Sequence, residues 1–162
     1  MGLRLNSIFH KDVNKSFRQV KKMEENPTML FVVAAALTNK SGTILLQKRP
    51  EGKAMAGLWE FPGGKVEKGE TPKAALIREL REELSIKVDA EDLIPITFAN
   101  ENLGDRNMLL LLYQCSQWTN DPISNDQQEL RWTNFDEMRS LPMPPADAPF
   151  ISILERLHDK SV

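Results

Sequence analysis

The chain is poor in the side chains that most often mark a reactive centre, with one cysteine, one tyrosine and two histidines among 162 residues. A single cysteine excludes a disulfide framework within the chain and fits a reducing cytoplasm. Cys115 lies in the apolar run MLLLLYQC and reads as a buried strand residue. His10 and His158 lie near opposite ends, which argues against a histidine-based zinc site or a Ser-His-Asp triad. Acid–base work therefore falls to carboxylates by elimination. Long apolar runs are missing too: Leu30 to Leu37, among the longest, is far too short to span a bilayer, and no secretory signal is present. A strong charge of either sign is also absent. A net charge of -2 and a pI near 5.8 give no general polyanion-binding surface, so long nucleic acid is not an expected partner, whereas free nucleotides stay open. With 41% hydrophobic residues the chain supports one compact domain with a real core.

What the chain does have is glutamate at fixed spacing. In GKVEKGETPKAALIRELREELSI, from Gly64 to Ile86, Thr71 is a good N-cap and Pro72 suits the first helical position, which predicts a helix to about Leu84. Glu79, Glu82 and Glu83 then fall at i, i+3 and i+4 on one face, where like charges repel unless a cation sits among them. Mg²⁺ answers that need, since a few carboxylates hold it while phosphates and water complete its shell. Ala75, Leu76, Leu80 and Leu84 form the opposite, apolar face and should bury against a sheet. The plain alternative is a solvated surface helix in which Arg78 and Glu82 make an ordinary i,i+4 pair. The preceding loop, Phe61-Pro62-Gly63-Gly64, favours a ligand site, because its glycines let main-chain groups approach closely. Glu70 stands at the end of the segment leading into the helix.

Elsewhere, Leu30 to Thr38 reads as a buried strand, Lys40-Ser41-Gly42 as a turn and Thr43 to Arg49 as the hairpin partner. Leu93 to Asn100, Asn107 to Trp118 and Glu129 to Thr133 read as strands, Phe135 to Ser140 as a short helix and Phe150 to Leu157 as a terminal one. The pattern is α/β, a mixed β-sheet flanked by helices. Residues 1–26 stand apart from the domain at 27–162. They carry a charge of +3, with Ile8, Phe9, Val13, Phe17 and Val20 loosely spaced as on an amphipathic helix. A flexible extension, or a start codon placed ahead of the real beginning at Met23 or Met29, is expected rather than a membrane-surface element.

Gly64, five residues, Glu70, seven residues, Arg78-Glu79-Leu80, one residue, Glu82-Glu83, one residue, Ser85 and Ile86 together resemble the Nudix box. The departure is Ser85, where the family usually has glycine. A left-handed backbone there would cost about 1 kcal/mol. The resemblance implies an α/β/α sandwich and pyrophosphate chemistry. LLQKRPEGKAMAGLWEFPGGKVEKGET, the GDRN segment and the closing LPMPPADAPFI are similar to the MutT-like branch, and this likeness covers about Met29 to Leu157.

In that branch a carbonyl of the Gly-Gly loop and the last box glutamate, here Gly63 and Glu83, hold a metal. Glu79 and Glu82 match the remaining box ligands, and Asp126 best matches a further acidic ligand that is usually glutamate. Mg²⁺ is the implied cofactor, with Mn²⁺ as its substitute. Water attack at the β-phosphorus would be assisted by Glu79 or Asp126, with Arg78 holding the glutamates. Positions matching nucleotide contacts are Arg49, Glu60, Phe61, Pro62, Gly63, Arg106 and Asp147. Each polar one has a plainer reading: Arg49 as a strand end, Arg106 as a turn residue and Asp147 as the N-cap of the last helix. The branch has asparagine at the Asp147 position. Ionised aspartate only accepts hydrogen bonds, so it would not donate to O6 of 8-oxoguanine but could accept from the cytosine amine. The implied activity is Mg²⁺-dependent hydrolysis of 8-oxo-dGTP to 8-oxo-dGMP and pyrophosphate. Hydrolysis of CTP or a modified dCTP is the alternative, and a non-catalytic nucleotide-sensing module is the alternative of another class. The expected partner is a free nucleoside triphosphate, with no long nucleic acid, no membrane and no obligate protein partner.

Overall fold

A computed structural model describes residues 29–160; the basic segment 1–26 lies outside the described residues. Strand β1 (Met29–Leu37) is buried on both faces from Val33 to Leu37, which accounts for its unbroken apolar run there, whereas Phe31 near its start is exposed. Val33, Ala35 and Leu37 enter one core cluster, whereas Ala34 and Ala36 enter the other. Strands β2 (Ile44–Lys48), β3 (Trp59–Glu60), β4 (Gly63–Lys65), β5 (Ile94–Asn102), β6 (Asn107–Cys115) and β7 (Leu130–Thr133) complete the sheet structure. They form two sheets rather than one: a mixed sheet ordered β4-β1-β6-β5, with β1 and β6 parallel, and an antiparallel sheet ordered β3-β2-β7.

The expected hairpin between β1 and β2 is not formed. Both edges of β1 are already taken by β4 and β6, and only the single bridge between Thr38 and Ile44 joins the two segments. The turn lies where the sequence puts it: the Asn39 carboxamide oxygen accepts hydrogen bonds from the Ser41 and Thr43 amides. Beyond the turn the chain passes into the second sheet. Strand β6 ends at Cys115, short of Trp118, and Cys115 is buried as expected.

Helix α1 (Pro72–Leu84) begins as predicted, with the Thr71 side chain accepting the Ala74 amide. Ala75, Leu76, Leu80 and Leu84 are buried against the mixed sheet, and each leucine contributes about 1.5–3 kcal/mol relative to an exposed one. Helix α2 (Phe135–Ser140) starts with a reciprocal Asn134–Glu137 capping box. Helix α3 (Phe150–Asp159) buries Phe150, Ile151 and Leu154 in the second core cluster. Sheets flanked by helices make this a mixed α/β fold, and α1 presents its polar face towards the short strands β3 and β4 and the loop joining them.

Candidate active site

Arg78 organises the polar face of α1. Its Nε and Nη2 donate to the two oxygens of Glu70 at 2.8 and 2.9 Å, and its Nη1 donates to Glu79 at 2.8 Å and to Glu82 at 3.4 Å. Nη2 also donates to the Lys65 carbonyl at 3.1 Å, which fastens the helix to β4. The bidentate fork is the reason an arginine is needed, since a lysine ammonium lacks this planar geometry. The Arg78 guanidinium holds the Glu70 carboxyl down at a pKa of about 2. Glu70 and Glu79 thus lend their charge to Arg78, which is itself held more firmly protonated.

Two glycines create the room beside this array. A Cβ on Gly63 would lie 2.0 Å from the Val33 carbonyl oxygen, so only glycine lets β4 approach β1 this closely. A Cβ on Gly64 would lie 2.3 Å from the Glu79 carboxylate, which therefore rests directly on the loop backbone. Ser85 closes α1 in the left-handed conformation (φ 56°) that favours glycine. Its hydroxyl exchanges hydrogen bonds with the Asn125 carboxamide, and Asn125 also donates to the Glu82 carbonyl at 2.7 Å. The serine thus fastens the turn at 125–126 to the helix end, a contact glycine would not provide.

Glu83, one turn on from Glu79, lies deeper, against strand β2. Its carboxylate accepts a hydrogen bond from Gln47 Nε2 at 3.0 Å. Burial raises its pKa to about 7, opposed by the Gln47 amide and reinforced by the charges of Glu79 and Glu60. Glu60 lies opposite Gln47 in the β2–β3 register and is ion-paired to Arg49. Burial raises the Glu60 pKa as well, against the lowering influence of Arg49.

Asp147 is 6% exposed and accepts the Phe61 amide at 3.2 Å. It is not the N-cap of the last helix: Pro149 occupies that position, and the buried Asp147 carboxylate is committed to a backbone donor distant in sequence. Burial drives its pKa up to about 7; the Phe61 amide opposes the rise and Glu60 adds to it. Burial thus favours the carboxylic acid form, which donates as well as accepts.

The remaining sequence-derived residues are placed less uniformly. The Phe61 ring is buried against Phe150 at 6.2 Å between centroids, so the site receives its backbone amide and not an open aromatic face. Pro62 is buried and its carbonyl accepts the Ala35 amide, which ties the loop to β1. Arg106 is exposed in the β5–β6 connection, with its carbonyl accepting the Leu103 amide. Asp126 is exposed in the turn held by Asn125. No hydrogen bond or ion pair among the described residues joins the Arg106 or Asp126 side chain to the glutamate array or to Asp147. Gln47 was not anticipated, because one polar residue ending the run ILLQ reads as the solvent side of a strand; it is 1% exposed.

The donor set suits a hard divalent cation. The Glu79 carboxylate rests against Gly64, and the Glu83 charge is disfavoured by burial and by Glu79 and Glu60, a strain that a cation would relieve. Among the described residues no three His, Cys, Asp or Glu side chains form a ready cage. Glu79, Glu82, Glu83 and Asp126 are therefore not gathered into one ligand group in this structure.

A NUDIX domain model matches residues 29–154. The chain is 35% identical over 122 residues to the CTP pyrophosphohydrolase of Escherichia coli K12, covering 75% of this chain and 89% of that one. It is 31% identical over 128 residues to the 8-oxo-dGTP diphosphatase of the same strain, covering 79% and 98%. The solution structure of the E. coli ORF135 protein superposes with a TM-score of 0.72 at 34% identity, covering 81% of this chain and 91% of that one. Nudix hydrolases generally use divalent metals. The chain belongs to the Nudix family and is a hydrolase acting on nucleoside triphosphates.

Proposed function

We propose that this enzyme is a Mg²⁺-dependent pyrophosphohydrolase whose preferred substrate is 8-oxo-dGTP, released as 8-oxo-dGMP and pyrophosphate. The observation that carries the choice of base is the buried Asp147 carboxyl on the Phe61 amide, which burial drives towards its acid form. Its acid form offers O–H to O6 of 8-oxoguanine and its carbonyl oxygen accepts the N7–H that oxidation creates. Unoxidised guanine shows two acceptors on that edge, N7 and O6, and leaves the Asp147 acceptor unmatched. The asparagine found in the MutT-like pattern has the same donor–acceptor pair, so a protonated aspartate serves as its equivalent. Arg49, ion-paired to Glu60, would line the same end of the site, with Phe61, Pro62 and Gly63 as the backbone wall, and Arg106 would meet the nucleotide from its exposed loop.

At the phosphate end, Glu83, Glu79, Glu82 and the Gly63 carbonyl would hold Mg²⁺, or Mn²⁺ in its place, with Asp126 able to contribute from its turn. When bound, such an ion would supply neutralisation of charge on the phosphate oxygens. Arg78 keeps Glu70, Glu79 and Glu82 in register. Glu79 is the better placed of the two candidate bases, since Arg78 takes its Oε1 and leaves Oε2, whereas Asp126 lies on an exposed turn. It accepts a proton from water as the new O–P bond forms at the β-phosphorus and the bond from that phosphorus to the α-phosphate oxygen breaks. In H₂¹⁸O the label is expected in pyrophosphate; label in the nucleoside monophosphate would overturn attack at the β-phosphorus.

CTP or a modified dCTP is the second reading, favoured by the similarity to a CTP pyrophosphohydrolase, because cytosine N3 and its amine also complement a carboxylic acid. A non-catalytic sensor has no use for a repulsive glutamate array. We place the enzyme in the cytoplasm, consistent with one buried cysteine and with no helix among the described residues long and apolar enough to cross a membrane. Residues 1–26 are an appendage to a catalytic domain at 27–162.

A further inference from the structure

Gln47 is almost wholly buried, at 1% exposure, in a strand whose preceding residues Ile44, Leu45 and Leu46 are all core. A leucine or methionine would fill its place with no polar atoms to satisfy. The glutamine instead leaves its Oε1 buried without a hydrogen-bond partner, an unfavourable arrangement that packing alone does not explain. Its Nε2 donates to Glu83 at 3.0 Å, while the Gln47 and Glu60 Cα atoms are directly opposed across β2 and β3, so both side chains emerge on one face. Glu60 is in turn fixed by Arg49. The amide is thus a neutral donor lodged between two acidic side chains, one on α1 and one on β3.

We infer that Gln47 is a positioning residue of the metal site: its buried amide holds the Glu83 carboxylate at the orientation from which it binds the divalent ion. The inference rests on the reading of Glu83 as a metal ligand. The required chemistry is that of a neutral N–H donor. A lysine at this position would neutralise Glu83 and compete with the ion, an acid would repel it, and an apolar side chain would leave the carboxylate free to turn towards the helix or the Arg78 array. The orphaned Oε1 follows from the same requirement, because turning the amide over would set oxygen against carboxylate.

The test is Mn²⁺ binding to the full chain without nucleotide, read from the electron paramagnetic resonance of the free ion, with circular dichroism to verify the fold. Gln47→Met keeps the length and bulk of the side chain, and Gln47→Leu is a second variant of different shape. Each is expected to weaken Mn²⁺ binding about tenfold and to lower kcat by a similar factor. In a Glu83→Gln background, which itself should weaken binding, Gln47→Met should add nothing further. A folded Gln47→Met protein that binds Mn²⁺ as tightly as the wild type overturns the role of Gln47. If Glu83→Gln also leaves Mn²⁺ binding unchanged, the assignment of Glu83 fails and takes this inference with it.

Discussion

Replacing Asp147 with asparagine tests the base pocket through stability and specificity together. The Asp147 pKa rises from an ordinary 3.8 to about 7 on folding, chiefly through burial. The native state therefore binds its proton more tightly than the unfolded chain, and the resulting stability is complete below about pH 4 and is lost as pH rises to about 7. A shift of about three units corresponds to about 4 kcal/mol over the full window, of which about 3 kcal/mol falls between about pH 5 and pH 8.5. Asparagine can still accept the Phe61 amide and does not titrate, so the variant should keep what the wild type loses. Urea denaturation of both proteins at the two pH values measures the difference. The same substitution removes the pH dependence of base recognition. Above about pH 7 the wild type loses its donor to O6, so its kcat/KM for 8-oxo-dGTP should fall relative to the variant, by about tenfold per pH unit at most. Parallel stability curves would show that Asp147 carries no raised pKa and refute the reasoning. An unchanged specificity ratio in a folded variant would remove Asp147 from base recognition.

Glu83→Gln should preserve the circular dichroism spectrum while lowering kcat at least about a hundredfold, because a neutral amide is a poor Mg²⁺ ligand; near-normal turnover would remove Glu83 from the metal site. Deleting residues 1–26 should keep kcat/KM within about threefold, equivalent to less than about 1 kcal/mol, and a larger loss in steady-state assays would show that the segment helps build the pocket.

The elements legible in the sequence were those whose causes are local. Thr71, Pro72 and the apolar stripe of Ala75, Leu76, Leu80 and Leu84 define α1 without reference to the rest of the chain, and the helix is found over Pro72–Leu84. The spacing of Arg78, Glu79 and Glu82 likewise fixes their mutual reach. What was not legible depends on distant partners. The β1–β2 hairpin fails because β4 and β6 claim both edges of β1, and β4 itself, only Gly63–Lys65, is too short to show a strand pattern. Asp147 has the look of a cap in sequence, yet its carboxylate is taken by the amide of Phe61, 86 residues away. Gln47 is hidden by the same limit, since only the packing of α1 over β2 turns an apparent surface residue into a buried neighbour of Glu83.

The most direct test of the proposed activity is a comparison of kcat/KM for 8-oxo-dGTP, dGTP, dCTP and CTP with Mg²⁺ near neutral pH. Recognition of the oxidised edge by the protonated Asp147 predicts that 8-oxo-dGTP exceeds dGTP by at least about tenfold, the scale of one mismatched buried hydrogen bond, and the proposed substrate preference places it above dCTP and CTP as well. CTP or dCTP hydrolysed faster than 8-oxo-dGTP would contradict it.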